Sequence, residues 1–166
     1  MNLLFIWDGQ KPLPESRKRN IDKALELYPE AKPYILTRLR SFPPCEVISW
    51  DSTMLSMVNH FKFREIPYNW LNPVTFSDWA RFWLLSIMTN TLYMDTDVSL
   101  NGRLQLGDKV AYSPGNICVL YSPPGFAGFY PMLEEQAKKH VGQLMHFHRD
   151  LVGEPISEES FKHRGI

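Results

Sequence analysis

The chain opens on a short apolar run, residues 3–7, that stops at the turn pair Asp8-Gly9, and this predicts a buried first β-strand. Ile21, Ala24, Leu25 and Tyr28 then recur at helical spacing. They predict a helix that starts at Glu15 or Ser16 and runs to about Tyr28, closed by Pro29 and Pro33. Residues 34–37 (YILT) and 46–50 (EVISW) read as the second and third strands, separated by Pro43-Pro44. Ser52 is the expected cap of a helix holding Met54, Leu55 and Val58. Residues 61–74, with Pro67 and Pro73, read as irregular. Thr75 or Ser77 is expected to cap a helix containing Trp79, Ala80, Phe82, Trp83, Leu84 and Ile87, which is apolar on most sides and therefore central.

Further on, residues 91–94 predict a strand that delivers Asp95, and residues 110–112 and 117–121 predict later strands. Residues 130–140 predict a helix whose terminal Lys138, Lys139 and His140 suit the negative end of its dipole. Residues 144–148 are the expected last strand, so residues 1–152 form the domain and residues 153–166 a polar tail. Strands and helices alternate over the first two thirds of the chain, which predicts a single α/β domain with a mostly parallel central sheet. In such sheets ligands sit at the carboxyl ends of strands. Asp8, Asp51, Asp95 and Asp97 each follow an expected strand and share that edge.

Composition adjusts this picture only in places. A length of 166 residues with 44% hydrophobic content suits one domain with a substantial core. The 18 basic and 18 acidic residues balance, which argues against a nucleic-acid partner bound through bulk charge. Cys45 and Cys118 are far apart and form no CxxC pattern, so they read as reduced thiols and favour an intracellular, cytoplasmic setting. No apolar run is long enough to span a bilayer, and the start, MNLLFIWDG, lacks the basic region of a signal peptide.

The chemistry concentrates in LYMDTDVSL, residues 92–100. On an extended strand Asp95 and Asp97 point to the same side and can face one cation together. Hard divalent ions such as Mn2+ and Mg2+ take oxygen ligands of this kind and leave positions for phosphate oxygens. The plain alternative is a solvated turn after a strand. Upstream, FSDWAR places Asp78 and Arg81 three residues apart on one helix face, beside Trp79, Phe82 and Trp83. Charges in such company are seldom buried without partners or purpose. Late in the chain, MHFH places His146 and His148 on one strand face, and His146, or alternatively His148, is the candidate third metal ligand. An ordinary surface pair is the competing reading. His60, His140 and His163 carry no pattern.

The segment FSDWARFWLLSIMTNTLYMDTDVSL resembles the signature of the DxD-containing sugar transferases. These are the glycosyltransferase sugar-binding region family, with initiating mannosyltransferases, capsular polysaccharide enzymes and large clostridial glucosylating toxins. Their pattern is SD-x-x-R, a short apolar helix, a Gly-Gly turn, then Tyr-x-Asp-x-Asp. Ser77, Asp78, Arg81, Tyr93, Asp95 and Asp97 occur here in that order, and IWDGQKPLP and EVISWD are similar to the family's first strand and loop and to a later strand. The resemblance covers residues 3 to about 105. Two departures stand out: Asn90-Thr91 replaces Gly-Gly, at a turn where Asn tolerates a left-handed backbone, and a chain shorter than most relatives implies an acceptor region that is minimal or supplied by a partner.

The resemblance implies a GT-A-like, Rossmann-like nucleotide-sugar-binding domain that uses Mn2+ or Mg2+ and a UDP- or GDP-sugar donor, transferring the sugar with retention to an unknown acceptor. It implies that Trp7 stacks on the base, and that Asp78 and Arg81 hold the sugar hydroxyls, Arg81 also lying near phosphate. Tyr93 then packs beside ribose or sugar, Asp97 binds the metal, and Asp95 contacts metal and ribose or sugar. It thereby places Asp95, Asp97 and Arg81 in the catalytic set. A DxD phosphohydrolase ranks lower, because that fold usually carries its DxD on the first strand. A non-catalytic binding module of the same fold is the other alternative.

Overall fold

The computed structural model describes residues 1–140 and 151–163. Strands β1 (Asn2–Ile6), β2 (Lys32–Thr37), β3 (Glu46–Ser49) and β4 (Thr91–Met94) run parallel, with β1 between β2 and β4. A short strand β5 (Val98–Leu100) follows β4. β6 (Ala111–Tyr112), β7 (Val119–Ser122) and β8 (Glu154–Pro155) extend the main sheet, in which β7 is antiparallel to both neighbours. Among the described residues the result is a seven-stranded, mostly parallel sheet of order β3-β2-β1-β4-β7-β6-β8. A last strand, β9 (Phe161–His163), pairs with β5 in a separate antiparallel ribbon.

Helices cover both faces, as a parallel sheet requires. Leu3 and Phe5 of β1 pack against Ile21 and Ala24 of helix α1 (Glu15–Leu27). Leu4 and Ile6 point the other way, toward α2 (Trp50–Phe61), α3 (Pro73–Ile87) and α4 (Tyr130–His140). An aromatic cluster fills that second layer, with Trp50, Trp70, Phe76 and Trp79 at ring separations of 5.0 to 5.6 Å. The arrangement is a Rossmann-like α/β domain. Among the described residues no helix is long and apolar enough to cross a membrane.

The helix starts differ from the sequence expectation for local reasons. Ser49, not Ser52, caps α2: its hydroxyl accepts from the Ser52 N–H at 3.2 Å, so Trp50 opens the helix rather than ending the strand. For α3 the cap is Asn72, whose side chain accepts from the Val74 N–H at 2.9 Å. Pro73 reads as a breaker in the sequence, yet it occupies the first helical position, where its missing N–H costs nothing. Asn90 does take the left-handed backbone, with φ of 57°, and turns α3 into β4. The expected polar tail is not a tail up to residue 163, since β8 and β9 lie within it. The expected strand 144–148 lies outside the described residues.

The path of the chain creates a crevice. From β1 it moves outward to β2 and β3, then returns through α2 and α3 to β4 on the opposite side of β1. Such a reversal opens a gap beyond the carboxyl ends of the two strands where it occurs, here β1 and β4.

Candidate functional site

A cleft of about 740 Å3 occupies that switch point. Trp7 and Asp8 enter it from the end of β1, Ser77, Asp78 and Arg81 from α3, and Tyr93, Asp95, Thr96 and Asp97 from β4 and the turn after it. The sequence-predicted residues Trp7, Asp78, Arg81, Tyr93, Asp95 and Asp97 therefore share one cavity. Asp51 does not join them. It pairs with Arg38 at 3.2 Å on the first turn of α2. His146 and His148 lie outside the described residues.

Arg81 organises the floor. It is 6% exposed, and its guanidinium reaches Asp78 at 2.9 Å and Asp95 at 3.4 Å. It also donates to the Ser77 carbonyl and hydroxyl and to the Ile117 carbonyl, and it lies 4.7 Å from the centre of the Tyr93 ring. The Tyr93 hydroxyl in turn donates to Asp95 Oδ1. Burial pulls the Arg81 pKa down, but Tyr93, Asp95 and Asp78 together raise it further, so the guanidinium stays charged. Burial raises the Asp78 pKa, Arg81 pulls it back in part, and Asp95 adds to the rise. The Tyr93 phenol is pushed well above its usual value, first by burial. Ions buried this way each lose several kcal/mol of hydration, so the cluster is poor material for stability alone.

The two aspartates of DTD are not on one strand. Asp95 follows β4, the Val98 N–H donates to the Asp95 carbonyl at 3.0 Å, and Asp97 precedes β5, so a turn brings both carboxylates to the cleft. They are 22% and 21% exposed, which also departs from a merely solvated turn.

The residue that sequence reasoning passed over is His163. The β5–β9 register sets His163 opposite Val98, one residue beyond Asp97. Its Nε2 lies 3.0 Å from Asp97 Oδ1 and 3.6 Å from Asp95 Oδ2. Asp95, Asp97 and His163 each offer a ligand atom within 4.8 Å of the others. For bonds of about 2.1 Å, octahedral neighbours are separated by about 3.0 Å and opposite ligands by about 4.2 Å, close to these values. Asp97 Oδ1 is fully buried and accepts no aligned hydrogen bond among the described residues, although His163 Nε2 is near. A separation of 3.0 Å suits an imidazolium–carboxylate ion pair, and it equally suits two neighbouring ligand atoms of one cation. The only sequence signal was the alternation in FKH, which places Phe161 and His163 on the same side of β9.

No family model matches the sequence, and no curated protein matches it. Distant likenesses exist among solved structures. A double cysteine-to-serine mutant of a transferase is 13% identical, with a TM-score of 0.45 over 90% of this chain and 81% of that one. The PaToxG glycosyltransferase is 13% identical, with a TM-score of 0.46 over 84% of this chain and 60% of that one. A further transferase is 11% identical, with a TM-score of 0.48 over 98% of this chain and 92% of that one. These likenesses are too distant to speak to chemistry.

Proposed function

We propose that this protein is a metal-dependent glycosyltransferase that takes a sugar from a nucleoside-diphosphate donor. The observation that carries the reading is the convergence of Asp95, Asp97 and His163 beside Asp78 and the buried Arg81, in the crevice where an α/β sheet takes nucleotides. Asp95, Asp97 and His163 hold Mn2+ or Mg2+, which when bound supplies Lewis-acid neutralisation of the departing diphosphate. The side-chain amide of Asn116 lies 3.4 Å from His163 Nδ1. The atom facing the ring is the amide nitrogen; turning the amide over brings its oxygen there instead, which puts the proton on Nδ1 and leaves Nε2 free to ligate.

The other residues have distinct tasks. Trp7 offers a ring face for the base, beside the Gly9 turn. Gly9 has φ of 88°, and a Cβ there would sit 3.0 Å from Leu39 and Thr37 side-chain atoms. Asp78, only partly covered, presents a carboxylate to sugar hydroxyls. Arg81 acts mainly by position, since its donors are engaged by Ser77, Asp78, Asp95 and Ile117; it fixes both carboxylates and adds positive potential near the phosphates. Tyr93 orients Asp95 through its hydroxyl. By the resemblance to DxD sugar transferases, transfer proceeds with retention.

The test is to incubate the protein with Mn2+ and a panel of UDP- and GDP-sugars and measure nucleoside diphosphate released, with Asp97→Asn as control. Release that requires Mn2+ and is lost in Asp97→Asn supports the reading. Nucleotide binding without release in any donor and acceptor mixture favours the non-catalytic module. The absence of both binding and release overturns the donor assignment.

A further inference from the structure

Arg17 is a cleft residue to which no role has been given so far. It projects from α1, in the layer opposite α3, yet it reaches the DTD turn across the end of the sheet. Its Nη1 donates to Thr96 Oγ1 at 2.9 Å, and its Nη2 stands 3.9 Å from Asp97 Oδ2. The same guanidinium lies 5.5 Å from the centre of the Trp7 ring. One helical turn on, the Asn20 amide donates to the Thr96 carbonyl at 3.0 Å, so α1 grips the turn at two points.

Arg17 is not a buried structural ion in the manner of Arg81. Its side chain is 35% exposed, and its 3.9 Å approach to Asp97 is too long for a hydrogen bond. A guanidinium has five N–H donors in a planar fork; the Thr96 hydroxyl takes one of them, and the group lines the cleft. Such a fork is suited to phosphate oxygens. It also lies between the two ends of the proposed donor site, the Trp7 ring at one and the Asp97 carboxylate at the other.

We propose that Arg17 is a donor-binding residue that acts as a counter-ion in waiting: without donor it faces Trp7 and offsets Asp97, and with donor its fork takes the diphosphate. This rests on the glycosyltransferase reading. It makes a prediction of opposite signs. A positive charge near Asp97 opposes a divalent cation that arrives alone, and favours a cation that arrives with a diphosphate.

The experiment titrates Mn2+ alone, followed by electron paramagnetic resonance, and then UDP and GDP in saturating Mn2+, followed by calorimetry. Wild type, Arg17→Ala, Arg17→Lys and Thr96→Val are compared after circular dichroism has shown each to be folded. Arg17→Ala should bind Mn2+ alone more tightly, by several-fold to about tenfold at low salt with the gain shrinking as salt rises, and should bind nucleotide about tenfold more weakly. Arg17→Lys keeps the charge and so the wild-type Mn2+ affinity, but loses part of the nucleotide affinity with the fork. Thr96→Val removes the hydrogen bond alone and should leave both affinities nearly unchanged.

If Arg17→Ala weakens both affinities in step with Thr96→Val, Arg17 only braces the turn and the proposal is overturned. If Arg17→Ala changes neither affinity, it is overturned as well. Wild type that binds neither Mn2+ nor nucleotide removes the glycosyltransferase reading itself, a result separable from either failure of Arg17.

Discussion

Two arginines in this protein are built from the same parts and behave oppositely. Arg103 holds Glu30 with contacts of 2.6 and 3.2 Å and lies 4.5 Å from the centre of the Tyr28 ring. Arg81 holds Asp78 at 2.9 Å and lies 4.7 Å from the centre of the Tyr93 ring. Yet the Arg103 side chain is 54% exposed and the Arg81 side chain 7%. At Glu30 the hydrogen bond from Arg103 wins, and the carboxyl pKa falls. At Asp78 burial wins over Arg81, and the carboxyl pKa rises. The first pair is a surface tie. The second is a charge held in the interior against its hydration, with a surplus of carboxylates around one guanidinium. Residue types do not separate a brace from a site; burial and charge balance do.

The comparison is sharpest at the arginines themselves. Arg81→Met leaves the half-buried Asp78 and Asp95 without their shared guanidinium and should destabilise the fold by up to about 3 kcal/mol, read from the urea midpoint. Arg103→Ala should barely move that midpoint, since exposed pairs contribute little. Equal effects would dissolve the distinction. Next in size, Asp97→Asn should lower Mn2+ affinity on the order of a hundredfold or more, because loss of a ligand exceeds the loss of an outer-sphere partner, while stability stays close to wild type. Tyr93→Phe removes the hydroxyl that donates to Asp95 and should cost about 1–2 kcal/mol.

The smallest effect is the pH dependence, and its sign differs between the two regions. Glu30 has a folded pKa below its unfolded value of 4.5, so its stabilisation is present above that value and is lost as pH falls through the folded pKa. Asp78 has a folded pKa above its unfolded value of 3.8, so its contribution is most favourable below 3.8 and declines as pH rises through the folded pKa. Glu30→Gln should therefore flatten the acid loss of stability in urea melts taken across that range. Asp78→Asn should steepen the rise of stability with pH just above 3.8, as the opposing contribution is removed.

What the sequence reveals follows from the range of the interactions. The strand over residues 91–94 is read in full, because an apolar run bounded by Asn90 and Asp95 is a local signal. The i,i+3 pairing of Asp78 and Arg81 is equally local. The caps at Ser49 and Asn72 are not legible locally, because a polar residue and a proline at a helix start look like loop until the helix axis is known. DTD has the pattern of strand alternation, although a turn closed by the Val98 N–H on the Asp95 carbonyl delivers both carboxylates. His163 and Arg17 depend on long-range register, one through the pairing of β9 with β5 and the other through the packing of α1 against the DTD turn. No window of contiguous residues contains either relation.

The most direct test of the central claim is a Mn2+ titration followed by electron paramagnetic resonance, comparing wild type with Asp97→Asn and His163→Ala. The account predicts one site in wild type, its loss in Asp97→Asn and clear weakening in His163→Ala. Wild type that binds no Mn2+, or binding undiminished in Asp97→Asn and His163→Ala, would contradict it.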